Sequence, residues 1–107
     1  MELPVEVAAE LAHSVDAAEE GNLGKARVCA RRAVGKAFMI SSYSTGFPSP
    51  LSAAQCLKAL TEMKDLPEEV RAAARRLATG VAEKGDVSIS VKPVEDATAI
   101  ITQLLAG

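Results

Sequence analysis

From Pro4 to Glu20 the small apolar residues return at three- and four-residue intervals. Val5, Ala8, Ala12, Val15 and Ala18 therefore share one side of a predicted helix, with Pro4 suited to its first turn. On this phase Glu6, Glu10 and His13 fall on the opposite side and face water. Gly21 supplies a left-handed stop and Asn22 a side-chain cap, so a tight turn leads into a second, antiparallel helix. That helix runs from about Leu23 to Ser42, with Leu23, Ala26, Ala30, Ala33, Ala37 and Ile40 on one face. A second strip of Gly24, Val28, Gly35 and Met39 lies between its basic residues. The pattern predicts a central helix that touches neighbours on more than one side.

Residues 41–50, SSYSTGFPSP, break the helical pattern, and Ser49 followed by Pro50 suits the cap and first turn of a third helix. Ala53, Cys56, Leu57 and Leu60 form its inner face. A fourth helix starts at Asp65-Leu66-Pro67-Glu68-Glu69, whose acids lie near the positive end of the helix dipole. Val70, Ala73, Ala74, Leu77 and Val81 form its stripe. After Gly85, residues Asp86 to Lys92 alternate Val87, Ile89 and Val91 with polar residues, as an extended segment does. With no second strand to pair with, this reads as an extended crossing or as an edge that pairs across a dimer. Pro93 opens a fifth helix with Val94, Ala97, Ile101 and Leu104 inward and Glu95 and Asp96 in its first turn. The expected fold is all-α: a four- to five-helix up-and-down bundle over residues 1–107 as one domain, with a short extended segment before the last helix.

Composition changes this picture in one respect. Apolar residues make up 49% of the 107 positions but aromatics only 3%, with no Trp, so the core must be built from Ala, Val, Leu and Ile. Such a core buries little area per residue, and self-association into a homodimer is the expected remedy. The net charge of −2 gives no general attraction to nucleic acid or to an anionic membrane. Cys29 and Cys56 lack CxxC spacing and read as buried free thiols of a reducing compartment. The acidic start MELPVEVAAE does not match a signal peptide, and no apolar run reaches membrane-spanning length. A cytoplasmic protein without membrane contact is expected.

Candidate chemistry is sparse. Glu10 and His13 have the ExxH spacing of carboxylate-bridged metal bundles, but a second His is missing, so neither a metal nor another cofactor is expected. Nucleophilic catalysis would also have to use His13, which the predicted surface helix holds away from Cys29 and from the serine-rich loop. STGFPSP lacks the phosphate-cradling glycine pattern. Tyr43 and Phe47 make that loop a candidate recognition site, or they plug one end of the bundle. The bases concentrate in the second helix (Lys25, Arg27, Arg31, Arg32, Lys36) and in the fourth (Arg71, Arg75, Arg76). Lys25, Arg32 and Lys36 form a stripe which, with Arg71 and Arg75, can contact phosphates. A competing reading pairs the second helix's bases with Glu2, Glu6, Glu10, Asp16, Glu19 and Glu20 of the first twenty residues, which hold no Lys or Arg.

The hairpin AAEEGNLGKARVCARRAVGKAF, followed later by LPEEVRAAARRL, an extended stretch and PVEDATAIITQLL, resembles a HEPN domain, the small helical bundle found beside nucleotidyltransferases in prokaryotes. The resemblance implies a helical, dimeric module. Ribonuclease members of that family carry an Arg-x4-6-His motif late in the chain. This sequence has no His after position 13, so Arg71, Arg75 and Arg76 have no such partner and no catalytic residue carries over. The implied function is that of a non-catalytic interaction module, not an enzyme, binding a protein partner such as a nucleotidyltransferase. RNA or nucleotide binding through the basic faces of helices two and four is the alternative.

Overall fold

The computed structural model describes residues 3–48, 51–78 and 91–106. Five helices are formed there: α1 (Val5–Glu19), α2 (Leu23–Ile40), α3 (Ala53–Glu62), α4 (Glu68–Ala78) and α5 (Pro93–Leu105), with a 3-10 turn at Ser42–Ser44. No strand occurs among the described residues, and the expected all-α bundle is what the chain forms. Gly80 to Ser90, which contain Val81, Gly85 and most of the expected extended segment, lie outside the described residues, as do Ser49 and Pro50.

The α1–α2 turn follows directly from its two residues. Gly21 adopts φ of +81°, and its N–H donates to the Ala18 carbonyl while that of Asn22 donates to Ala17. These two bonds satisfy carbonyls that the helix end would otherwise leave open. The Asn22 Oδ1 in turn accepts from the Lys25 N–H at 3.0 Å, so one residue closes α1 and caps α2. At the far end of α2 the Ser41 hydroxyl donates to the Phe38 carbonyl and the Ser44 hydroxyl to Met39, which stops the helix at Ile40. The cap of α3 is Ser52, not Ser49. Gln55 stands three residues after it, and the two exchange side-chain to backbone hydrogen bonds of 3.1 and 2.8 Å in a capping box.

Helix α2 is central, as its two apolar strips predict, and packs against α1, α3 and α5 with a lighter contact to α4. Helices α3 and α4 pack on each other and α5 covers α4. The core is aliphatic around one ring: Phe38, with Leu57, Leu60, Leu77, Ile100 and Ile101. The Cα radius of gyration is 12.8 Å, close to the roughly 13 Å expected of a compact chain this long. Among the described residues no helix is long and apolar enough to cross a membrane.

Helix α1 turns a different side inward from the one its alanines suggested. Val7, Ser14 and Ala17 are buried with Leu3 and Leu11 against the core, while Val5 is 84% exposed and Ala12 faces solvent. The reason is Ser14, whose hydroxyl donates to the Ala26 carbonyl of α2 at 2.8 Å and so sits in the interface without an unmet hydrogen bond. On α2, Leu23 and Ile40 are exposed rather than inward, because the buried arc is carried by Ala26, Ala30, Ala33, Val34, Ala37 and Phe38.

Candidate functional site

The rotation of α1 brings its acids to α2. Glu10, expected in open water, has a side chain only 14% exposed, and its Oε2 lies 3.3 Å from the Lys36 Nζ. The pair bridges an open groove of about 500 Å3. Glu6 and Glu10 of α1 form one bank, Arg32 and Lys36 of α2 the other. Gly35, Met39, Ile40, Leu51 and Ala53 form an apolar floor. Gly35 is what admits Ala53 to that floor. A Cβ at Gly35 would stand 3.2 Å from the Ala53 Cα, tighter than an ordinary contact, so glycine lets the start of α3 approach α2 without displacing it.

A second, smaller groove of about 290 Å3 continues along the same two helices, between His13, Asp16, Ala17 and Glu20 on one side and Lys25, Cys29 and Arg32 on the other. His13 and Cys29 therefore line one cleft, although the sequence placed them apart. The same rotation of α1 carries His13 toward α2. Its Nδ1 lies 3.7 Å from Glu10 Oε1. Among the described residues no group of three His, Cys, Asp or Glu is placed to hold a metal ion.

The basic residues divide by role. In α2, Lys25, Arg32 and Lys36 border the two grooves, each facing acids of α1. Among the described residues Lys25 and Arg32 form no ion pair, and Lys36 pairs only with Glu10. Arg31 does something the sequence did not signal. Its Nε donates at 2.6 Å to the Leu77 carbonyl, one of the last four of α4, and so closes that helix end. Burial, with Arg27 close by, lowers the Arg31 pKa. In α4, Arg75 and Arg71 both hydrogen-bond Glu68, and they hold its carboxyl below the usual range. Arg76 makes a two-pronged pair with Asp96 of α5 at 2.7 and 3.1 Å, which raises the arginine's pKa. The two sets proposed for phosphate contact thus differ. The α2 stripe faces acids across a groove, and Arg71 and Arg75 share one acid on their own helix.

In the loop after α2, the Phe47 ring meets Phe38 edge to face with centroids 5.6 Å apart. The Tyr43 hydroxyl accepts from Gln103 Nε2 of α5 at 3.4 Å. Both rings are therefore tied to the end of the bundle, with Phe47 also bordering an open groove along α3 formed with Leu51, Gln55 and Lys58. Cys56 is fully buried with its Sγ 3.9 Å from the Gly35 carbonyl, and burial pushes its thiol pKa up. Neither cysteine is in a disulfide. No family model, curated protein or solved structure matches the chain.

Proposed function

We propose that this protein is a helical interaction module that binds rather than catalyses, self-associating and docking a protein partner through the α1–α2 face. The observation that carries this reading is the 500 Å3 groove with its apolar floor and its charged, ion-paired rim. A floor of Met39, Ile40 and Leu51 stands to gain from being covered, since removing apolar area from water contributes about 25 cal/mol per Å2. A polar rim around an apolar centre is the usual build of a protein interface. The HEPN resemblance adds a partner class, a nucleotidyltransferase.

RNA or nucleotide binding has less support. A phosphate lying along Lys25, Arg32 and Lys36 would also face Glu6, Glu10, Asp16 and Glu20, and Arg71 and Arg75 are already engaged by Glu68. The two readings separate in size-exclusion chromatography with light scattering, run with and without short RNA. A dimer unchanged by RNA is expected. A monomer that shifts with RNA, reversibly with salt, would replace this reading with the second.

A further inference from the structure

We infer that the occupant of the large α1–α2 groove is a second copy of this chain, seated about a two-fold axis so that Glu6 of each copy meets Arg32 of the other. This rests on the interaction-module reading and assigns the groove to the self-association in it, with the contact that makes it.

The argument is one of charge placement. The groove has an acidic bank on α1 and a basic bank on α2. Its inner pair, Glu10 and Lys36, is satisfied within the chain, whereas Glu6 and Arg32 are exposed and form no ion pair among the described residues. A ligand of one sign would be opposed by one bank. A copy of the same surface, turned by a two-fold rotation, presents base to acid and acid to base at once, the self-complementary arrangement of a closed dimer.

The apolar groups left over have the same location. Ile40, 52% exposed, lines the groove at one end of α2. Val28 is exposed one turn before Arg32 on α2. The 18 residues of α2 run about 27 Å, and two helices side by side are roughly 20 Å wide. Such a face approaches the ~600 Å2 per partner at the lower end of specific interfaces.

Charge-swap complementation of the full chain tests the contact. Glu6→Arg and Arg32→Glu are each made alone, and far-UV circular dichroism checks that both remain helical. Each alone sets like charges against each other twice in its homodimer, so its dimer dissociation constant should rise at least tenfold in light scattering. An equimolar mixture restores opposite charge at both contacts and should dimerise as tightly as the wild type. Ile40→Glu supplies a charge-independent variant, expected to be monomeric and helical. Single variants that dimerise as the wild type does, or a mixture no tighter than its parts, overturn this interface while leaving the module reading intact. A wild type that stays monomeric at high concentration overturns both.

Discussion

At Gly35 the absence of a side chain decides how closely two helices approach. A valine there would have to move the Ala53 backbone, and it should cost about 1–3 kcal/mol in chemical denaturation. Gly24, in the same helix, has only the Asn22 Oδ1 in ordinary contact, so Gly24→Ala should stabilise by about 0.5 kcal/mol through a lower unfolded-state entropy. Equal effects at the two positions would contradict the packing described. Cys56 provides a pH test. Burial favours its protonated thiol, so its contribution to stability is complete below the unfolded thiol's pKa of about 8.5 and is lost as pH rises through the higher folded value. Cys56→Ala should therefore lose less stability than the wild type on going from about pH 8 to pH 10. A thiol reagent should label Cys29, at the edge of its cleft, before Cys56.

At the scale of elements, helix ends carry much of the specification. Gly21, Asn22 and Pro93 act where their chemistry says they should, and the inner faces of α3 and α4 were legible because Leu57, Leu60, Val70 and Leu77 recur at clean helical spacing. Helix α1 was not, because its inward stripe contains a serine and the pattern counts polar residues as outward. Only the Ala26 carbonyl across the interface makes Ser14 a core residue. Ser49 and Ser52 both look like caps, and Gln55 decides for Ser52. Arg31 shows the other limit of patterning. It reads as one more base of the central helix, yet it caps α4 from 46 positions away. Arg31→Met should cost about 1.5–3 kcal/mol, the loss of a hydrogen bond from a charged donor. Hydrogen exchange should accelerate first in the last turn of α4, whereas uniform acceleration across the bundle would argue against a capping role.

For the whole molecule, the candidate site depends on the phase of α1. The stripe Lys25, Arg32 and Lys36 was visible in the sequence, and so were six acids near the N-terminus to oppose it. Which acids meet which bases could not be read until the phase of α1 placed Glu10 against Lys36 and left Glu6 and Arg32 on opposite banks. The aromatic-poor composition has a structural counterpart. The core packs alanines around one phenylalanine, and Val28 and Ile40 of α2 remain outside it. Their cover is the central claim, and a dilution series of amide nuclear magnetic resonance spectra tests it most directly. As concentration rises, shifts are predicted at Glu6, Glu10, Arg32, Gly35, Lys36 and Ile40, with none at Arg71 and Arg75 of α4. Concentration-independent spectra with the relaxation of a monomer, or shifts confined to α4, would contradict it.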